Sequence, residues 1–527
     1  MRCIGFRRLQ LAIISVVVLL APATARADWS VIENRWYSLS LGGATCGFAH
    51  GVIEKGIDTP GEKNGDLLRT TTQTRLKLGR GATMVAIEIE SSFVETARGE
   101  PVSATMRQAT GGPENRTTYA FVRDGSAWAV DVVEGGKSRR EKLSSDEWLT
   151  PQSVERFVLE RLKASAKEIT YRSLDLEGGL RVASTTMTKS GDETTVLTTG
   201  TEHREIPVSV WAVRNDIMPV PSTERYSTDG ELVENVTKLG IGEIVSRLVD
   251  EKTAKAAFAG SSVEVLVRSF VPAKRRISGA RERDRLVFSV KTLEGELPEL
   301  PSAGAQRVRR VGPGELEVEV DARRGSDATK ADFEDSKYRA SSALIDSDSK
   351  EVRDLLAKVG PRDPNEEVRV RADDLRRFVG NWITNKNLAS AFASASEAAR
   401  SRGGDCSEHG VLLAALLRAD GIPSRIASGL VYADEFGGQK NVWGWHVWTQ
   451  ACIEKRGGGY EWLDVDATLP TRFDAAHVLT GVSELAGGAT DPMWTASLGL
   501  IGNISIDVTE GDTQHSSEPR ARPAKAR

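Results

Sequence analysis

Between residue 28 and roughly residue 257, apolar positions come in short runs that alternate with polar ones and are broken by Gly, Asp and Asn. Thr83-Met84-Val85-Ala86-Ile87-Glu88-Ile89 and Trp128-Ala129-Val130-Asp131-Val132-Val133 are two such runs. A period of two sends successive side chains to opposite faces, so these runs predict antiparallel sheet with one wet face. A helix interrupts them over 151–164, where Val154, Phe157, Val158 and Leu162 share one face. Strands resume over 168–174, 180–188 and 192–198, and a second helix is expected between 241 and 258. His50 and His203 stand alone in this half and read as structural. Trp29, Trp36, Tyr37 and Trp211 read as core or groove lining.

The alternation returns over 262–321, with strands expected at 263–267, 286–290 and 315–320 and turns at Pro298 and Pro301. Residues 322–336 are polar without an apolar period and read as a linker. From residue 340 the period becomes helical. Val352, Leu355 and Leu356 mark one helix, and Ala372, Leu375, Phe378, Val379 and Ile383 mark the next, with Pro361 and Pro364 between them. The pattern divides the chain into 28–260 (β-rich), 261–336 (a second β-rich stretch and linker) and 337–511 (mixed), with a polar tail at 512–527 expected to be disordered. The class expected is α+β.

The first residues change the picture of where the protein works. Arg7 and Arg8 precede a short apolar run, and Ala25-Arg26-Ala27 offers a small-x-small cleavage site, so 1–27 reads as a secretory signal peptide. The run is too short for a comfortable membrane span, and a periplasmic or secreted protein with no stable span after cleavage is expected. Loss of Arg2, Arg7, Arg8 and Arg26 would take the net charge from −4 to −8. A mildly acidic chain without basic clusters gives no electrostatic reason for a nucleic-acid partner. Three cysteines would remain, Cys46, Cys406 and Cys452. An odd count in an exported chain leaves at least one thiol to be explained. Cys452 could pair with Cys46 or stay buried; spacing alone leaves both open.

Cys406 supplies the explanation for a spare thiol. Gly403-Gly404-Asp405-Cys406-Ser407-Glu408-His409 leads into an apolar helix that Gly421 and Pro423 stop. Cys406 falls in its first turn, where unpaired N–H groups and the positive helix end favour a thiolate and can hold an oxyanion. Residues 442–453 alternate as a strand carrying His446, and 460–465 follow after Lys455-Arg456-Gly457-Gly458-Gly459 as the second arm of a hairpin. A hairpin centred near Gly457 puts His446 and Asp466 on one sheet face. A carboxylate on one imidazole nitrogen would leave the other to activate sulfur. Asp464 shares that face and is the rival acid. His409, three residues beyond Cys406 on its own helix, is the rival base, with His446 the better placed of the two. Glu408 reads as support for the helix start. Asn385 and Asn387 are candidates for a second oxyanion donor, and Trp443, Trp445 and Trp448 for cleft walls. No phosphate loop, dinucleotide fingerprint or spacing of metal ligands is present, so neither cofactor nor metal is expected.

The order Gly-Asp-Cys-Ser-Glu-His, Gly421-Ile422-Pro423-Ser424-Arg425, His446-Val447-Trp448 and Trp462-x-x-x-Asp466-Ala467-Thr468 resembles the transglutaminase-like superfamily core, a papain-like fold, over about residues 375–470. The resemblance implies Cys406 as nucleophile, His446 as base and Asp466 as orienting acid, since the family's aspartate directly precedes the Ala-Thr pair. It implies a cysteine acyl-enzyme acting on amide bonds of peptides or proteins, by hydrolysis or acyl transfer. Ser407 stands where eukaryotic members have Trp, so their substrate groove is not implied. Their calcium-site carboxylates are not seen, and calcium dependence is not implied either. The alternative is a fold that has lost activity and serves as a scaffold or binding module.

Overall fold

The computed structural model describes residues 29–511 apart from 58–65, 82, 111–113, 126, 135, 144–146, 177–179, 201, 218–219, 261–262, 389–392, 486–496 and 498. The signal peptide and tail expected from the sequence lie outside the described residues.

Fourteen strands of the first half form one antiparallel meander. They are β1 (Trp29–Leu41), β2 (Ala44–Ile57), β3 (Asp66–Arg80), β4 (Thr83–Thr96), β5 (Pro101–Thr110), β6 (Asn115–Asp124), β7 (Ala127–Glu134), β8 (Lys137–Lys142), β9 (Glu168–Asp175), β10 (Arg181–Thr199), β11 (Glu202–Asn215), β12 (Ser222–Ser227), β13 (Leu232–Leu239) and β14 (Gly242–Val249). The two halves of the meander join where β1 pairs with β14, and the free edges are β8 and β9. A bridge from Leu149, just past β8, to Ser173 on β9 brings those edges together. Gly42 and Gly43, at φ 58° and 82°, make the tight link between β1 and β2 that a side chain would strain. The expected helix over 151–164 is α1 (Pro151–Lys163). It lies against strands from both halves: Arg35 on β1 bonds Glu155, and Val158 packs with Ile169, Met187 and Trp211.

The helix expected between 241 and 258 is instead β14 followed by α2 (Glu251–Ala259). Ile244, Val245, Leu248 and Val249 fit either period, and the open backbone edge of β1 takes them as a strand. Asp250 starts the helix by accepting from Thr253 N at 3.0 Å.

β15 (Val263–Glu264) returns to the first sheet, parallel to β3, and β16 (Val271–Pro272) crosses to the second. β17 (Arg285–Thr292), β18 (Gln306–Gly312) and β19 (Glu315–Asp321) form a small sheet. Residues 322–336, expected as a linker, carry β20 (Ser326–Ala328) and α3 (Lys330–Glu334). β20 pairs with Tyr460–Trp462, and Phe333 packs near Trp462, a use of isolated apolar residues that periodicity does not reveal. Next come α4 (Lys350–Val359), α5 (Val368–Trp382), β21 (Asn385–Lys386), α6 (Ala395–Ser401), β22 (Gly403–Gly404) and α7 (Cys406–Ala419). The second large sheet has the order β20, β25 (Tyr460–Val465), β24 (Gln439–Glu454), β23 (Ser424–Phe436), β26 (His477–Ser483). β27 (Ile504–Gly511) closes the small sheet against β17.

The apolar helix α7 is the centre of the second half. Val411 to Leu417 are fully buried among α4, α5, α6 and the sheet strands β24 and β25. The small sheet shares a further core with Leu430, Tyr432 and Trp443 of β23 and β24. Strand outweighs helix, 53% against 19%, so the α+β class expected from the sequence is corrected toward a mostly antiparallel β chain with a mixed C-terminal domain. Fourteen strands of meander in the first half cause the imbalance.

Candidate active site

Asp405 opens α7. Its Oδ1 accepts from Ser407 N at 2.9 Å, and Glu408 Oε2 accepts from Asp405 N at 2.8 Å, a reciprocal cap that fixes the first turn. Gly404 precedes it at φ 143°, and a Cβ there would lie 2.4 Å from Glu408 Cβ. Glycine is therefore required for the chain to turn into the helix. Glu408 Oε1 also accepts from Ala393 N at 2.9 Å, which gives it the supporting role expected.

Cys406 is the first residue of this helix and is half-buried. Burial and then the Asp405 charge push its thiol well above the ordinary range, against the Val447 N–H and the Arg80 charge, which lower it. The positive helix end, expected to favour a thiolate, is here opposed by burial and by the Asp405 carboxylate. A carboxylate occupies the same turn as the positive helix end, and desolvation favours the neutral thiol.

Val447, whose N–H meets the sulfur, follows His446 on β24. His446 Nε2 lies 2.8 Å from Asp466 Oδ2, so the hairpin register brings together the pair that the sequence placed on one face. Asp466 is fully buried, and its Oδ1 accepts from Thr468 N at 2.7 Å. Burial alone would raise its carboxyl, but the charge and N–H of His446, helped by His477, hold it well below the usual range.

His477, on β26, is the residue that sequence reasoning missed. Its Nε2 lies 3.4 Å from Asp466 Oδ2 and its Nδ1 is 2.9 Å from Asp474 O. Burial opposes its protonation, but the Asp474 charge and the bonds to Asp466 and Asp474 outweigh that, taking it up to about 9. No motif spacing announces this contact; only the pairing of β26 with β23, beside β24, supplies it. Among the described residues, His446, Asp466 and His477 are the trio whose ligand atoms lie within 4.8 Å of one another. A two-histidine, one-carboxylate grouping of this kind has the donor types of a metal site. With His477 protonated, its Nε2 donates to Asp466, and the distances are those of a hydrogen-bonded chain.

The rivals go elsewhere. Asp464 accepts from Trp448 Nε1 (2.7 Å), Gln450 Nε2 (2.8 Å) and Ala305 N (2.6 Å), which makes it a packing carboxylate. His409 is fully buried, with Nδ1 2.6 Å from Asp405 O. Asn385 and Asn387 flank β22: a Cβ on Gly403 would meet their Nδ2 atoms at 3.4 and 3.3 Å. Trp448 stacks on His446 at 6.1 Å between centroids, whereas Trp443 belongs to the core beneath the small sheet. Trp445 donates to Ser269 O at 3.1 Å. Cys46 and Cys452 are both free and sit in separate cores, so they are not paired. No helix of the described residues is long and apolar enough to cross a membrane.

Residues 354–467 match the family model described as the transglutaminase-like superfamily. Uncharacterized proteins of Mycobacterium bovis and Mycobacterium tuberculosis are 26% identical over 161 residues, 28% of this chain and 50% of theirs. The chain thus spans about half the length of the curated relatives it matches. Among solved structures, a β-barrel-like protein of unknown function from Brucella abortus is similar over 41% of this chain and 95% of its own, with 14% identity and a TM-score of 0.30. A protein from Cytophaga hutchinsonii, provisionally assigned as a cysteine protease, is similar over 45% of this chain and 93% of its own, with 15% identity and a TM-score of 0.28. Likenesses of that size carry nothing about substrate. Residues 354–467 of this chain are a transglutaminase-like superfamily domain.

Proposed function

We propose that the protein is a cysteine acyl-enzyme that opens amide bonds of peptides or proteins, with Cys406 as nucleophile, His446 as base and Asp466 as orienting acid. One observation carries the reading: His446 is bonded through Nε2 to a buried carboxylate while the next residue's N–H meets the Cys406 sulfur. Asp466 on Nε2 fixes the imidazole so that Nδ1 is the nitrogen left for chemistry. Burial favours the neutral thiol, so in this reading His446 removes its proton as the sulfur attacks.

Sγ bonds to the carbonyl carbon, its proton passes to His446 Nδ1, and the oxyanion is held by the Cys406 N–H, with Asn385 and Asn387 the candidates for a second donor. The C–N bond breaks as His446 returns the proton to the leaving amine. Water, or a primary amine, then attacks the thioester carbon and gives its proton to His446; the C–Sγ bond breaks, the acid or new amide leaves, and that proton restores the thiol. On sequence grounds we also propose that the chain is exported, which N-terminal sequencing of the mature protein tests.

The direct test is covalent trapping. A peptide-like electrophilic probe should modify Cys406, assigned by mass, and His446→Ala should slow the reaction by at least about a hundredfold. Modification that ignores His446 would favour the inactive scaffold.

A further inference from the structure

The first half of the chain reaches the nucleophile. Arg80 ends β3, and its Nη2 lies 2.7 Å from Asp405 Oδ2, across 325 residues of sequence. Asp405 keeps only 8% of its side chain exposed, and Arg80 keeps 22%. The same carboxylate that caps α7 and raises the Cys406 thiol is thus paired with a cation that the second half does not supply.

The end of β3 at Arg80 and Gly81 is tied to the connection that follows the first sheet. Glu264 on β15 accepts from Gly81 N at 2.9 Å through Oε2 and from Val267 N at 3.1 Å through Oε1. A few residues on, Ser269 O accepts from Trp445, and Val271 pairs with Trp443 on the strand that bears His446. One short connection therefore ties the tip of the first sheet to both the cysteine helix and the histidine strand.

We propose that the end of β3 is a working part of the active site, with Arg80 a positioning residue that acts through Asp405 to set the reactivity of Cys406. This rests on the acyl-enzyme reading above. The charged groups that act on the sulfur are Asp405 and Glu408 on α7 and Arg80 on β3; His446 directly precedes the Val447 whose N–H meets the sulfur, and Lys386 acts on His409. Removing Arg80 leaves the Asp405 charge unopposed beside a sulfur that must become negative, so the deprotonated form is disfavoured. The first sheet then tunes the reaction through Asp405.

The test uses the full chain and follows iodoacetamide labelling of Cys406 by mass from about pH 6 to about pH 10, with buried Cys46 and Cys452 as internal references. Arg80→Gln should move the profile to higher pH and slow labelling near neutrality by about threefold to tenfold, with Arg80→Lys restoring most of the rate. Asp405→Asn should move the profile the other way and erase the effect of Arg80→Gln in the double variant. If Arg80→Gln loses its fold, the Asp405→Asn and Arg80→Lys profiles decide alone. Profiles superimposable on wild type, with His446 dependence intact, overturn the role of Arg80 only. A wild-type Cys406 that labels without regard to His446 overturns the acyl-enzyme reading, and the role of Arg80 with it.

Discussion

His477 Nε2 lies 3.4 Å from Asp466 Oδ2, the same oxygen that meets His446 Nε2 at 2.8 Å. One buried carboxylate oxygen thus serves two imidazoles, His446 on β24 and His477 on β26. The second holds the acid that orients the first.

This makes stability depend on pH with a definite sign. The folded His477 is raised to about 9 from the ordinary 6.5, so its contribution is full below about 6.5 and is lost as pH rises through about 9. Wild-type Tm should fall across that window. His477→Gln should be less stable at about pH 6 and show a flatter slope above it. An unchanged slope in the variant would remove the cationic histidine from the account.

The two histidines near Cys406 separate by chemistry. His446→Gln should abolish turnover and probe capture, while His409→Asn should keep both and lose about 1–3 kcal/mol of stability, since the bond to Asp405 O lies inside the helix cap. Urea unfolding alongside probe labelling checks both. A His409 variant that folds normally but fails to label would exchange the roles.

The two aspartates separate in the same way. Asp466→Asn keeps the shape but loses the charge, and should lower kcat by at least about a hundredfold. Asp464→Ala leaves Trp448, Gln450 and Ala305 N–H groups without an acceptor, and should cost upward of about 2 kcal/mol of stability. Circular-dichroism melts and probe kinetics on the two purified variants distinguish a catalytic from a packing loss.

Gly429 stands opposite His446 on β23, and a Cβ there would lie 2.0 Å from Val478 O on β26. Gly429→Ala must therefore push β26 away, and with it His477. We expect a loss of at least about 1–3 kcal/mol together with slower probe capture. A variant as stable and as fast as wild type would show the sheet gives freely at that point.

Much of the site could be read along the chain because its parts lie on elements with strong local signals. A glycine-led apolar helix fixes Cys406 at a tip, and a glycine-rich turn fixes hairpin parity, so His446 and Asp466 had to share a face. The first helix and the alternating strands were legible for the same reason. β14 was not, because a β-branched run fits helix or strand until a neighbouring edge claims it. Nor was β20, whose apolar residues are too few to set a period.

The sequence by itself determined which residues could do chemistry and which local element carries each. Tertiary structure decided what surrounds them: the burial and Asp405 charge that push up the Cys406 thiol, the second histidine on Asp466, the diversion of Asp464 and His409, and the arrival of Arg80 from the first sheet. Local pattern records which way a side chain points from its own backbone. Desolvation and charge pairing depend on what the rest of the fold places within a few ångströms, and no periodicity encodes that.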